Sequence, residues 1–144
     1  MIIIGCDHGG FELKDTIKAH LADKGFEVCD SGTFSTDAVD YPDIAAEVCR
    51  KLTSGNADFA ILICGTGIGI SMAANKIKGI RAAVLHSLFT AQMAKEHNNT
   101  NVICFGGRTT SPADAVEMLD AYMSADFQGG RHSIRVDKIM KLEG

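Results

Sequence analysis

Short apolar runs alternate with amphipathic stretches along the whole chain, and this alternation restricts the fold more than any other feature of the sequence. Five runs are rich in Ile, Val, Phe and Ala, and their length and composition predict β-strands. They span residues 1–6, 26–30, 59–64, 80–85 and 101–106. Strands that are apolar on both faces and separated by helices form a parallel sheet covered on each side. We therefore predict a doubly wound, Rossmann-like α/β fold with five parallel strands and helices on both faces.

Helical patterns fill the intervals between these runs. Leu13, Ile17 and Leu21 recur every four residues, and Gly25 supplies a stop signal for this helix. Pro42 suits the first turn of the next helix. The remaining helices are predicted after the glycines at residues 65–69, over residues 87–97 and 111–124, and in the C-terminal segment after residue 130.

The composition is that of one domain. With 144 residues and 46% hydrophobic content the chain can bury a proper core, so we predict a single domain over residues 1–144. The formal net charge of -4 and the lack of a basic stretch argue against a general nucleic-acid binder. No apolar run approaches the roughly 20 residues of a membrane span, and the first residues lack a signal-peptide pattern. We expect a cytoplasmic protein without membrane association.

The stretch CGTGIG, residues 64–69, places a cysteine directly before three glycines. A glycine-rich turn between a strand and a helix brings backbone N–H groups near an anion, and the same field stabilises a thiolate. Cys64 is therefore either a reactive thiol or, as the alternative, a small buried hydrophobe at a strand end. The turn lacks the spacing of a dinucleotide fingerprint, the Gly-Lys-Ser/Thr of a P-loop and the arginine of a cysteine phosphatase.

The chain has five cysteines, and none is paired with another at metal-ligand spacing. An odd number without such a pair disfavours both a disulfide framework and structural zinc. We therefore predict free thiols and no bound metal.

Polar side chains follow several of the predicted strands. Ligands of doubly wound folds bind at the carboxyl ends of the strands, near the point where the strand order reverses. A lone His or Asn is more often a turn or helix-end residue, whereas several together indicate a ligand site. We expect convergence at one rim of Asp7, His8, Cys64, Thr66, His97, Asn98 and Arg108.

Five longer motifs resemble those of a known family. GCDHGGFELK, DYPDIA, ILICGTGIGISMAANKIKGIRAA, HNNTNVICFGGR and GGRHSIRV are similar to sugar-phosphate isomerases of the ribose-5-phosphate isomerase B type, a family that includes allose- and galactose-6-phosphate isomerases. The match covers essentially the whole chain. The resemblance implies an aldose–ketose isomerase of the pentose phosphate pathway that interconverts ribose 5-phosphate and ribulose 5-phosphate through a cis-enediolate.

The resemblance also implies roles for single residues. Cys64 is the base that moves the proton between C1 and C2, and His97 opens the sugar ring, although it also suits a helix cap. Thr66 is either a catalytic neighbour or a turn residue. Some family members carry a glutamate base later in the glycine loop, where this chain has none. The implied sugar- and phosphate-binding residues are Asp7, His8, Tyr41, Gly65, Gly67, Ile68, Gly69, Asn98, Arg108, Arg131 and Arg135.

The C-terminal helix is expected to act on a second copy of the chain. Arg131 and Arg135 stand four residues apart, so on a helix they share one face and suit an anion between them. By resemblance this helix reaches a partner subunit, where both arginines complete the phosphate site of a homodimer. The sequence leaves dimer and tetramer open.

The implied reaction needs few catalytic groups. Moving one proton between neighbouring carbons requires a single base and a stabilised enediolate, so neither a metal nor an organic cofactor is needed. Three alternatives stay open: an isomerase for allose or galactose 6-phosphate, a non-catalytic phosphosugar-binding module, and a thiol redox sensor in which Cys6 resolves an oxidised Cys64.

Overall fold

Five strands and six α-helices alternate in a computed structural model that describes all 144 residues. In chain order they are β1 (Ile2–Cys6), α1 (Phe11–Asp23), β2 (Val28–Asp30), α2 (Tyr41–Ser54), β3 (Phe59–Cys64), α3 (Ile68–Ala74), β4 (Ala82–Val84), α4 (Leu88–Glu96), β5 (Val102–Gly106), α5 (Pro112–Ser124) and α6 (Arg131–Lys141). Every predicted strand and helix is present. None of the helices has the length and apolar character needed to cross a membrane.

All five strands are parallel and follow the order β2-β1-β3-β5-β4. The chain moves from β1 to β2 at one edge and then crosses back to place β3 on the other side of β1. The strand order therefore reverses between β1 and β3, which is where doubly wound folds open a crevice for ligands. The predicted fold class is confirmed.

The sheet separates two apolar cores. On one face, α1, α4 and α5 cover Ile61 and Ile63 of β3, and on the other face α2 and α3 cover Leu62 and Cys64. Because successive side chains of a strand point to opposite faces, the wholly apolar β3 supplies both cores at once. The stripe of Leu13, Ile17 and Leu21 in α1 is buried, as its spacing predicts.

The two edge strands are shorter than predicted. β2 begins at Val28 because the N–H of Phe26 instead bonds to the carbonyl of Leu21 and closes the end of α1. β4 begins at Ala82 because Ile80 lies in a turn that its N–H closes on Ile77. An edge strand pairs on one side only, so flanking apolar residues gain little from extending it.

The loops after β1, β3 and β5 pack backbone against backbone. The N–H of Gly107 donates to the carbonyl of Cys64 at 2.8 Å, and the N–H of Arg108 donates to Gly65 at 2.9 Å. A Cβ on Gly107 would lie 2.1 Å from the carbonyl oxygen of Gly9, so only glycine permits this approach. The three strand ends are thereby fixed relative to one another.

Substituting alanine for Gly107 is expected to separate these loops. Because its Cβ would overlap the Gly9 carbonyl, we expect a loss of more than about 2 kcal/mol in the free energy of unfolding, measured by urea denaturation. Gly25→Ala is the control, since Gly25 has open space around it and the cost of an alanine there comes only from its positive φ of 84°. That variant should lose only about 1 kcal/mol. Equal losses in the two variants would contradict the tight packing at Gly107.

Candidate active site

A cleft of about 750 Å³ opens at the carboxyl ends of β1 and β3, where the strand order reverses. This volume is typical of sites for small molecules. The cleft is lined by Asp7, His8, Val39, Asp40, Tyr41, Pro42, Asp43, Cys64, Gly65, Thr66, Gly69 and Arg108. The cleft thus brings Cys64 together with seven other residues that were expected at one rim or in the sugar site. They come from three separate loops and the start of α2.

Cys64 is the last residue of β3, and the glycine turn folds over its thiol. The N–H of Gly67 donates to Sγ at 3.2 Å, a contact that stabilises negative charge on sulfur. Gly67 adopts φ 79°, a left-handed conformation that favours glycine and aims its N–H back at the thiol. Cys64 therefore has both predicted characters, because its side chain is buried in the core beneath α3 and also borders the cleft.

Two residues of the glycine turn serve the turn itself. The N–H of Ile68 donates to Oγ1 of Thr66 at 3.2 Å, so Thr66 has the turn role while also lining the cleft. The side chain of Ile68 is 57% exposed and faces a neighbouring groove rather than the cleft. Neither Ile68 nor Gly67 lines the cleft of one chain, and both use their N–H groups within the turn, so their expected binding of substrate stays a prediction.

Asp7 and His8 follow β1 and face the cleft. Oδ1 of the buried Asp7 accepts the N–H of Gly9 at 2.8 Å, which caps the short 3₁₀ turn at residues 8–10. The N–H of Val39 donates to Nδ1 of His8 at 3.3 Å. A donor aimed at Nδ1 requires that this nitrogen carry no proton, so the neutral ring bears its proton on Nε2. Nε2–H is the group that His8 has left to offer a ligand.

Tyr41 and Arg108 both line the cleft and pack against the glycine turn. The hydroxyl of Tyr41, at the start of α2, lies 2.8 Å from where a Cβ on Gly69 would be, so the ring packs directly on the glycine turn. The guanidinium of Arg108 lies over Gly65, with Nη1 at 3.2 Å from the corresponding Cβ position. Arg108 is the one cationic lysine or arginine side chain that lines the cleft.

His97 and Asn98 do not lie in this cleft, and the prediction that they meet Cys64 at one rim of the same chain is wrong. They follow α4, which runs back from the carboxyl edge of the sheet and ends before β5 begins. The length of β5 separates this point from the cleft, roughly 15 Å at about 3.3 Å per residue. Asn98 instead borders another cavity, together with Arg81 and Ile139.

His97 belongs to a basic cluster at the amino edge of the sheet, formed by His97, Arg131, His132 and Arg135. The rings of His97 and His132 stack with centroids 4.0 Å apart, and Gln128 bonds to Glu96 beside them. Loss of water contacts, followed by the nearby His97 and the two arginines, lowers the pKa of His132. Within one chain this cluster and the cleft are separate.

The structure argues against a thiol redox sensor in which Cys6 resolves an oxidised Cys64. Cys6 pairs in register with Ile63 and faces the core under α1, whereas Cys64 faces the opposite core. Because the sheet lies between the two sulfur atoms, Cys6 cannot resolve an oxidised Cys64. All five cysteines are free. No three His, Cys, Asp or Glu side chains are grouped so that they could hold a metal ion.

Sequence reasoning missed two contributors to the site. Val39 donates its N–H to His8, and nothing in its local sequence indicates this contact. Lys14 is almost fully buried next to the loop that carries Val39, paired with Asp30. The one available signal was that Lys14 follows Leu13 on the inward face of α1, where a lysine is unusual.

The fold and the cleft define a class: a doubly wound α/β protein whose ligand site lies at its topological switch point, beside a cysteine under a glycine turn. Within that class, the chain belongs to the ribose/galactose isomerase family, whose model matches residues 2–139.

The chain matches its relatives over nearly their full length. The chain is 48% identical over 142 residues to ribose-5-phosphate isomerase B of Escherichia coli strain K12, covering 99% of this chain and 95% of that protein. Ribose-5-phosphate isomerase B of Clostridium thermocellum has a TM-score of 0.97 at 47% identity, with 99% and 96% covered. The same enzyme from Mycoplasma genitalium, solved with bound ribulose 5-phosphate, has a TM-score of 0.94 at 44% identity, with 99% and 95% covered.

The buried thiols should differ from Cys64 in reactivity. Burial raises the pKa of Cys6 and of Cys49 to about 11, and the pKa of Cys104 well above its usual range. Since the thiolate is the nucleophile, these three should resist iodoacetamide at mildly alkaline pH, while Cys64 at the cleft should react. Peptide mapping by mass spectrometry measures this, and denatured protein, in which all five should react, is the control. Modification of Cys64 no faster than Cys49 would contradict the expectation.

Proposed function

We propose that this chain interconverts ribose 5-phosphate and ribulose 5-phosphate without a cofactor. The observation that carries the proposal is the Cys64 thiol, held at the base of the cleft by the N–H of Gly67. Membership of the ribose/galactose isomerase family and the M. genitalium relative with bound ribulose 5-phosphate support this substrate. The five free thiols suit a reducing compartment, so the proposal includes the cytoplasm.

The proposed reaction is one proton transfer and its return. As thiolate, Cys64 takes the proton from C2 of the open-chain aldose. The electrons of that bond form the C1–C2 double bond while the π electrons of the C1 carbonyl move onto O1, which gives the enediolate. Sγ then returns the proton to C1, while the hydroxyl proton on O2 passes to O1 and leaves C2 as the ketone. Because Sγ takes up and gives back the same proton, a single base suffices.

The enediolate needs donors, and the cleft supplies several. Gly69 lies in the first turn of α3, where backbone N–H groups have no partner within the helix. The hydroxyl of Tyr41 is a further donor on the wall, while Nε2–H of His8 binds the sugar equally in the substrate and in the enediolate. Donors already in place before charge develops stabilise it by several kcal/mol, on the order of an oxyanion hole. Asp7 is the acceptor for sugar hydroxyl groups.

Arg108 alone is a poor match for a phosphate. A sugar phosphate carries nearly two negative charges, and Arg108 is the one Lys or Arg that lines the cleft. The basic cluster holds two more arginines but lies at the other edge of the sheet. We infer that two copies of the chain assemble so that the basic cluster and Asn98 of one copy complete the cleft of the other, with His97 opening the sugar ring.

A groove beside the cleft supports this assembly. The groove has a volume of about 660 Å³, is bordered by Ile68 and Leu88, and shares Thr66 with the cleft. These two apolar side chains at its border are exposed, Ile68 by 57% and Leu88 by 53%. An element of a second copy that covered this groove would reach the edge of the cleft at Thr66.

Helix α6 also has apolar surface that one chain does not cover. Val136 is buried, whereas Ile134, Ile139 and Leu142 are exposed, the last of them 86%. This helix carries Arg131 and Arg135, so covering its apolar side on another subunit would move both arginines with it.

Cys64→Ser tests the function directly. A serine hydroxyl has almost the same shape but is far too weak a base, so kcat for conversion of ribose 5-phosphate to ribulose 5-phosphate should fall more than about a thousandfold. Folding and phosphosugar binding should be nearly unchanged. Cys29→Ser, the same change on β2 outside the cleft, should keep normal activity. Retention of more than about a tenth of kcat would remove Cys64 from the role of base.

Mixing two inactive variants tests the shared site. Chains with Cys64→Ser and chains with Arg131→Ala and Arg135→Ala should each be inactive alone. In a mixed dimer, one of the two sites combines an intact cysteine with intact arginines, so random mixing should restore about a quarter of normal activity. Mixing Cys64→Ser with Cys64→Ala is the control that should stay inactive. If mixed dimers form and remain inactive, the arginines do not act on the partner's cleft.

A further inference from the structure

A lysine is buried beside the cleft without touching it. Lys14, in the first turns of α1, is 1% exposed, and its Nζ donates to Oδ1 of Asp30 at 2.9 Å and to the carbonyl oxygen of Thr33. The rings of Phe34 and Phe11 lie 4.8 and 5.6 Å from the ammonium. A charged group is withdrawn from water only where its partners compensate for the lost hydration, so this position has a specific set of contacts.

The contacts of Lys14 fix the start of the loop at residues 31–40. Asp30 ends β2 and also accepts the N–H of Gly32 at 2.9 Å, while the carbonyl of Thr33 receives the lysine. The N–H of Thr33 bonds to the carbonyl of Cys6 at 2.7 Å, which ties the same residue to the end of β1. One ammonium thus joins α1, the end of β2 and the beginning of this loop.

The other end of the loop reaches the site. Val39 donates its N–H to Nδ1 of His8, and two residues later Tyr41 packs on the glycine turn. Between Phe34 and Val39 the loop is mostly exposed, and its one internal side-chain bond is from the N–H of Asp37 to Ser35 at 3.3 Å. The position of Val39 therefore depends on how firmly the start of the loop is held.

We propose that Lys14 is a positioning residue for the cleft: it holds the 31–40 loop so that the Val39 N–H meets His8, which fixes the orientation of the ring and keeps its proton on Nε2. The proposal deepens the proposed function and rests on it, since it assigns to His8 a donor role toward the substrate. A lysine suits this place because one ammonium can donate to a carboxylate and a carbonyl at once.

Lys18 provides a matched comparison. One helical turn after Lys14, it donates to the other oxygen of Asp30 at 2.7 Å, and it is partly exposed. The pKa of Asp30 is affected first by burial, which raises it, but donors from Lys18, Gly32 and Lys14 outweigh this and hold it below the usual value. Both lysines therefore stabilise the same carboxylate, but only Lys14 also contacts the loop.

Replacing Lys14 and Lys18 separately with methionine distinguishes the contact of Lys14 with the loop from the ion pairs that both lysines form with Asp30. We expect Lys14→Met to raise KM for ribose 5-phosphate about tenfold or more, with kcat within about threefold, because Cys64 on β3 stays in place while the walls of the cleft shift. Lys18→Met should leave both constants within about twofold. Equal effects of the two variants would overturn the proposal, because a general loss of charge around Asp30 would then explain the result.

The second measurement follows His8 itself. With ¹⁵N-labelled histidine at a pH where the ring is neutral, the wild type and Lys18→Met should show Nδ1 as the unprotonated acceptor and Nε2 as the protonated nitrogen. In Lys14→Met the His8 signals should move toward the average of the two tautomers. A variant that is less stable to urea but keeps the wild-type KM and His8 spectrum would overturn the proposal, since Lys14 would then be only structural.

Asp30→Asn covers the case in which Lys14→Met does not fold. The amide keeps the size of the side chain, but its single oxygen takes the place of only one of the two carboxylate oxygens that Lys14 and Lys18 use, and the negative charge is lost. An intermediate rise in KM with the same change at His8 supports the proposal, and wild-type values for both overturn it. If the wild type shows no isomerase activity the proposed function fails, while the His8 spectra still decide whether Lys14 fixes the ring.

Discussion

The contact on which the rest of the site depends is made by backbone alone, where the loops after β1, β3 and β5 meet. Gly107 lies against the carbonyl of Gly9, and its N–H donates to Cys64. These contacts leave no space for side chains between the loops, so the polar side chains of the loops project outward into the cleft. The sheet register and the glycines therefore determine where the backbone of each loop lies. The functional side chains are carried at positions that this backbone sets.

Much of this frame follows from local sequence. Apolar runs without alternation predict strands buried on both faces, and all five are present in a parallel sheet. The glycine turn after Cys64 is likewise a local signal, because a left-handed residue is needed where β3 turns into α3. The failed expectation concerned His97 and Asn98. A helix between two parallel strands must run back across the sheet, so residues at its end lie at the amino edge, and this geometry places them away from Cys64.

Other features depend on contacts between distant residues and could not be predicted. Cys6 and Cys64 look equivalent in sequence, each ending an apolar strand, but the register of β1 against β3 places them on opposite faces of the sheet. The link from Lys14 to Thr33 joins α1 to a loop about twenty residues away and has no periodic signature. Register and loop position are set by the whole fold, so sequence patterns predict the elements better than the contacts between them.

The separation of the cleft from the basic cluster has a physical logic. In one chain, Arg131 and Arg135 are exposed, so water screens their repulsion and they cost the monomer little. The same charges placed permanently beside Arg108 in an empty cleft would repel one another in a partly desolvated site. If a second copy supplies them, the cations gather where a phosphate can neutralise them and where subunit contacts contribute to holding them. Assembly and substrate binding would then favour each other, because each reduces the electrostatic cost of the other.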